Sequence, residues 1–316
     1  MLRIGSIVAP KSSWYIGTCG WSYKTDWDEV FYPAPLSPQK YLEFYSRVFN
    51  TVEIDSSFYK LPSKATVTNW VQKTPPYFKF SAKLNNEITH KAKLDLSKCK
   101  TALNNYFDNF SPMEEQHKLL AHLIQLPPSF TYKEHRANFE TFLAFWAEWR
   151  ESEGKDLLKE NFQPNSWQNV VEFRDPSWLR PDVFDFLRDY NTGYCAVVEP
   201  LLPPRFDITV KNLFYLRFHG HGQDPWWNYK FSNQELTHWA TELKDLAQHN
   251  PHTNIVGYFN NHFSGNAVKN AMDILPMLGL SPQNPFEAVK DASLAEIGLK
   301  PGKNSLDKWM SVKKVK

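Results

Sequence analysis

The chain has 316 residues, of which 42% are hydrophobic and 22% charged, and its formal net charge is +2. That composition excludes a collagen-like, low-complexity or charge-driven disordered chain and leaves room for one large globular domain. A balance so close to neutral also excludes bulk electrostatic capture of nucleic acid, although not a local basic patch.

Aromatic residues make up 16% of the chain, with 12 Trp, more than a core alone needs, so some rings are expected to line a groove. Cys19, Cys99 and Cys195 are far apart and form no CxxC pair, which argues against a disulfide framework or a zinc ribbon and suits a reducing compartment. There is no apolar run of about 18 residues, and the leader MLRIGSIVAPKSS lacks a secretory hydrophobic region. A cytoplasmic protein with no membrane partner is therefore expected.

Residues 1–14 are read as an N-terminal extension, 15–280 as the folded domain and 281–316 as a C-terminal extension. The first predicted strand is 15–19 (YIGTC). A Pro-rich loop, FYPAPLSP, then leads to a helix over 39–49, where Tyr41, Leu42, Phe44, Tyr45 and Val48 have helical spacing. The second strand, 51–54 (TVEI), ends on polar Asp55, Ser56 and Ser57 and aromatic Phe58 and Tyr59. A helix over 64–73 stops before Pro75 and Pro76, which cannot continue it. The third strand, 77–82 (YFKFSA), runs into Lys83 and the ITH triplet at 88–90, and no element is assigned from there to Leu119.

Residues 119–126 (LLAHLIQL) form the fourth strand, stopped by Pro127 and Pro128. An aromatic helix over 139–149 follows, with a charged extension after it. The remaining strands are 169–173 (NVVEF), 193–198 (GYCAVV), 213–218 (LFYLRF) and 254–259 (NIVGYF), with helices over 180–190, 233–248 and 265–278. The stretch between Val198 and Leu213 carries LLPPRF and no helical pattern, so the sixth crossover is expected to be irregular. Eight strands alternating with helices predict an α/β fold, a TIM-like (β/α)8 barrel forming a single domain.

In such a barrel, active-site groups stand at the C-terminal ends of the strands. The chemistry-bearing residues there are Trp21 and Tyr23; Glu53, Asp55, Phe58 and Tyr59; Lys83 and His90; Gln125; Glu172 and Arg174; Arg217 and His219; and Asn260, Asn261 and His262. Strand alternation turns Glu53 and Asp55 to the same side, toward the barrel axis. Charged groups inside a barrel are costly unless paired or functional. One reading is thus a buried ion network of Glu53 or Glu172 with Arg217 or Lys83, and the other is a catalytic set. In the catalytic reading Glu53 or Glu172 acts as base, His219 or His262 as acid, and Lys83 and the arginines hold anionic groups. The acids and histidines could also hold a divalent metal. Phosphate-binding Gly loops, a serine elbow and a dinucleotide fingerprint are absent.

These same segments resemble the YecE-like family, domain of unknown function family 72. The matching stretches are IGTCGWSY (16–23), FYP (31–33), TVEIDSSFYKLP (51–62), FKFSAK (78–83), QLPPSF (125–130), VEFRDPSW (171–178), LRFHG (216–220) and YFNNHFSGNAVKNA (258–271). The resemblance implies a TIM-like barrel and no established activity. The tail KNSLDKWMSVKK (303–314) resembles peptides by which archaeal replicative polymerases and DNA-repair proteins bind a sliding clamp. Leu306, Trp309 and Met310 fill its hydrophobic positions, with Lys303 where the pattern has Gln. The expected function is a hydrolase or lyase acting on a phosphorylated or nucleic-acid substrate. The alternatives are a non-catalytic nucleic-acid module recruited by a clamp and a barrel enzyme for a small metabolite.

Overall fold

Short β-branched and aromatic runs separated by amphipathic stretches fold here as alternating strands and helices. In the computed structural model the described residues are 12–33 and 36–281. The strands are β1 (Trp14–Thr18), β2 (Thr51–Ile54), β3 (Lys79–Lys83), β4 (Leu119–Gln125), β5 (Asn169–Glu172), β6 (Gly193–Val198), β7 (Leu213–Phe218) and β8 (Asn254–Phe259). All are parallel, and they pair in the order β1-β8-β7-β6-β5-β4-β3-β2.

The ends of this eight-stranded sheet meet at one bridge, Cys19 to Glu53, where the Gly20 N–H donates to Glu53 O at 2.7 Å. Below the bridge a side chain takes the place of the ladder. The Tyr45 hydroxyl accepts from the Thr18 N–H at 2.9 Å and reaches Thr51 O at 3.2 Å, so it joins β1 to β2. The approach is close enough that a Cβ on Gly17 would lie 2.2 Å from Thr51 O, which is why glycine stands there.

The helices are α1 (Lys24–Trp27), α2 (Tyr41–Val48), α3 (Lys64–Gln72), α4 (Leu96–Glu115), α5 (Tyr132–Glu151), α6 (Glu153–Leu158), α7 (Pro181–Asp189), α8 (Asn233–His249) and α9 (Asn266–Met277). Local chemistry sets several of their starts. Ser63 accepts from the Thr66 N–H to cap α3, Ser232 and Glu235 form a reciprocal capping box on α8, and Pro181 occupies the first turn of α7.

The 20-residue helix α4 had no counterpart in the sequence reading. Its run NNYFDNF is rich in poor helix formers and it contains Pro112, so propensity conceals it. Burial of Leu103, Tyr106, Phe107 and Phe110 overrides that propensity. The sixth crossover has no helix, as expected, and residues 199–209 run as bends and coil.

Alternation along each strand sorts side chains into two cores. Val52, Ile54, Phe80, Ile124, Val171, Val198, Phe214, Leu216 and Phe259 belong to the larger one, the layer between strands and helices. Ala121, Leu123, Val170, Cys195, Val197, Tyr215, Val256 and Tyr258 form the smaller one, inside the barrel. No helix among the described residues is long and apolar enough to cross a membrane.

Candidate functional site at the C-terminal mouth

Going up the barrel axis, the inward side chains change from apolar to charged. Tyr258 from β8 holds Thr51 Oγ1 at 2.6 Å and Ser81 Oγ at 3.0 Å, and the Tyr215 hydroxyl from β7 donates to Glu53 Oε2 at 2.7 Å. Above them Arg217 bridges two strands across the interior, with Nη2 2.7 Å from Glu53 Oε1 and Nη1 2.6 Å from Glu172 Oε2. All three residues are buried. Gln125 Nε2 donates to Glu172 Oε1 at 2.9 Å. Arg174 pairs with the same Glu172 oxygen and, through its other terminal nitrogen, with Glu199.

His219 lies against this network. Its Nε2 is 2.9 Å from Arg174 Nη2 and 3.3 Å from Glu172 Oε1, and its Nδ1 is 3.0 Å from the Asn260 side-chain amide. A guanidinium only donates, so Nε2 accepts, and the neutral ring then carries its proton on Nδ1, which takes the Asn260 amide turned so that its oxygen rather than Nδ2 faces the ring. Burial, with Arg174 and Arg217 beside it, lowers His219 to about 3, so the ring is neutral at physiological pH. Trp226 covers the group, its ring stacked 5.7 Å from His219 and 5.1 Å from the Arg174 guanidinium.

The two acids that share Arg174 differ. Burial alone would raise Glu172, but Arg174 and Arg217 hold it well below the usual carboxylate range. Burial lifts Glu199 to about 7 despite the pull of Arg174. Glu199 Oε1 is buried with no hydrogen-bond partner. Every oxygen of Glu53 and Glu172 is engaged by Arg, Tyr or Gln.

A second cluster stands on the β2–β3 side. Lys83 pairs with Asp55 at 3.2 Å and lies 4.1 Å over the Phe58 ring. Burial opposes the ionisation of Asp55, and Lys83 and Arg217 nevertheless hold its carboxyl down. His90 sits in a single π-helical turn, Glu87–Lys91, edge-on to Phe58 at 4.7 Å. Burial, then Lys83 and Arg174, lower it to about 4. Tyr59 is 73% exposed at the rim.

Several expected site residues make their side-chain contacts outside the Arg217–Glu172–Arg174–Glu199 network. His262 stacks on Tyr23 at 4.5 Å and on Phe263 at 4.8 Å, and its backbone oxygen accepts from Trp27. The acids that bear on its ring are Asp26 and Asp55. Tyr23 donates its hydroxyl to Cys19 O, and Trp21 packs edge-on against Trp70 at 5.2 Å. Asn261 serves the fold: it is fully buried, and its Nδ2 donates to Tyr229 O and Asn270 Oδ1, tying the loop after β7 to α9. Leu306, Trp309 and Met310 lie outside the described residues.

Glu199 and Trp226 were missed in the sequence. Glu199 continues the inward alternation of Cys195 and Val197, and Trp226 belongs to the pair of tryptophans in the Gly- and Pro-containing loop after β7. Among the described residues no group of three or more His, Cys, Asp and Glu side chains is arranged to hold a metal ion. A cavity of about 190 Å³ between Trp14, Val48, Phe49, Tyr77, Leu275 and Leu280 lies at the opposite, N-terminal end of the barrel and contains no acid or base.

Comparison with known families matches residues 15–294 to the family described as "Protein of unknown function DUF72". Curated relatives include UPF0759 protein YunF of Bacillus subtilis (strain 168), 26% identical over 298 residues, which are 85% of this chain and 98% of that protein. UPF0759 protein YecE of Escherichia coli (strain K12) is 31% identical over 93 residues, 29% of this chain and 33% of that protein. Among solved structures, a DUF72 family protein from Thermotoga maritima MSB8 has a TM-score of 0.68 and 29% identity, covering 84% of this chain and 99% of the other. Another, from Enterococcus faecalis V583, has a TM-score of 0.68 and 21% identity over 85% and 99%. The chain is a member of the DUF72 family, a barrel family whose function its own description leaves open.

Proposed function

We propose that this protein is a barrel enzyme, a hydrolase or lyase, that carries out proton-transfer chemistry at its C-terminal mouth on a phosphorylated or nucleic-acid substrate. The observation that carries this reading is Glu199: a buried carboxyl near neutrality with one oxygen bonded to nothing. A general acid or base works best when its pKa lies near the operating pH and it has a free lone pair or proton to offer. Glu172 has neither property, so we assign the proton-transfer role to Glu199 and an anchoring role to Glu172, Glu53 and Arg217. Neutral His219 positions Arg174, while Arg174 and Lys83 face the anionic part of the substrate. Exposed Tyr59, next to Lys83 and Phe58, offers a stacking face of the kind worth about 1–3 kcal/mol for an unpaired base.

Activity screening tests this on phosphorylated metabolites and on damaged and single-stranded DNA, with and without divalent metals, using Glu199→Gln as the blank. The variant is expected to lose about 10²–10⁴-fold of the turnover, and equal turnover removes Glu199 from the chemistry. Turnover confined to small metabolites selects the small-molecule alternative. For a nucleic-acid substrate, we assign Leu306, Trp309 and Met310 to a sliding clamp. Trp309→Ala then abolishes capture of the chain by the clamp in a pull-down, and undiminished capture rejects that partner. The free, buried cysteines are compatible with the cytoplasmic location we assign.

A further inference from the structure

The charges of the mouth do not balance. Arg217 is matched by Glu53 and Glu172, and Lys83 by Asp55. Arg174 shares Glu172 and is also paired with Glu199. Four acids thus face three cations, and Glu199 is the one whose second oxygen is buried without a donor. The groups that face it are Arg174 and Glu172 from β5 and the loop after it, and Arg217 from β7, with neutral His219 bonded to the same Arg174.

A buried carboxylate oxygen with no donor is unfavourable, whereas a protonated carboxyl carries an O–H that needs an acceptor. An oxyanion is such an acceptor, and it also takes the place beside Arg174 of the charge that Glu199 loses on protonation. Arg174 keeps 10% of its side chain exposed, which leaves it within reach of a ligand.

We infer that Arg174 and Glu199 form an oxyanion subsite for a phosphate- or sulfate-like dianion, bound with the uptake of one proton from solvent onto Glu199. This rests on reading the mouth as a site for an anionic substrate and adds the coupling between that anion and a proton. The lifted pKa of Glu199 places the coupling in the neutral range.

Inorganic sulfate is the suitable probe because it does not itself titrate near neutrality. Calorimetric titration of the full chain with sulfate at constant ionic strength, in buffers of different ionisation heat, is expected to show binding about tenfold weaker at about pH 8 than at about pH 6. About one proton should be taken up at the higher pH. Glu199→Gln should bind with an affinity that does not change over that range, and Arg174→Gln should not bind. Arg174-dependent binding with no pH slope and no proton uptake overturns the coupling and leaves the anion site standing. Binding that is absent, or indifferent to Arg174, overturns both.

Discussion

Glu172 and Glu199 follow one another at the ends of neighbouring strands, β5 and β6, and share Arg174. Their partners make them opposites in pH behaviour. Glu199 rises from 4.5 to about 7 on folding, so the folded state binds its proton more tightly than the unfolded chain does. Stability from this group is full below about pH 4.5 and is lost as the pH rises to about 7. Glu199→Gln should therefore match wild type near pH 4.5 and exceed it by about 3 kcal/mol at pH 8 in urea unfolding. Glu172 is depressed, so its contribution is present at neutral pH and disappears as the pH falls through its folded value. Glu172→Gln should lose about 3–5 kcal/mol at pH 7, because Arg217 and Arg174 are each left short of a buried partner. A variant that unfolds no more easily than wild type would contradict the anchoring role. The sequence exposed Glu53, Glu172, Arg174, Arg217 and His219 because charged residues on short apolar strands stand out. It hid Glu199 because the strand reading stopped at Val198, before Pro200, although Cys195 and Val197 already pointed inward. Which acid is neutral depends on a third dimension: how many cations converge on each carboxylate.

At the scale of elements, the seam between β1 and β2 shows how a helix side chain completes a sheet. Tyr45 was read from sequence as one apolar position of a helix, and its ring is indeed buried. Its hydroxyl does a second job, pairing Thr18 N with Thr51 O where the strands do not pair directly. Tyr45→Phe leaves both backbone groups buried without that partner and should cost about 1–3 kcal/mol, read as a shift of the urea midpoint with an unchanged slope. No shift would mean that the strands close on each other without it. The strands were legible because β-branched and aromatic runs are short and well punctuated by Pro and Gly. Helix α4 was not, since its signal lies in long-range burial rather than in spacing or propensity.

At the scale of the molecule, the barrel brings residues more than a hundred positions apart into one layer, as with Glu53 and Arg217 at 2.7 Å. Strand alternation and parallel order explain why such residues share a face, so fold and mouth were recognisable together. Their division of labour was not, because it is set by burial and by the distances between groups. The most direct test of the central claim is a ¹³C-carboxyl NMR pH titration of the full chain, with Glu199→Gln and Glu172→Gln used to assign the two signals. Glu199 should titrate at about 7 while Glu172 stays ionised throughout the neutral range. A Glu199 that titrates at the ordinary value near 4.5 would contradict its assignment as the proton-transfer group.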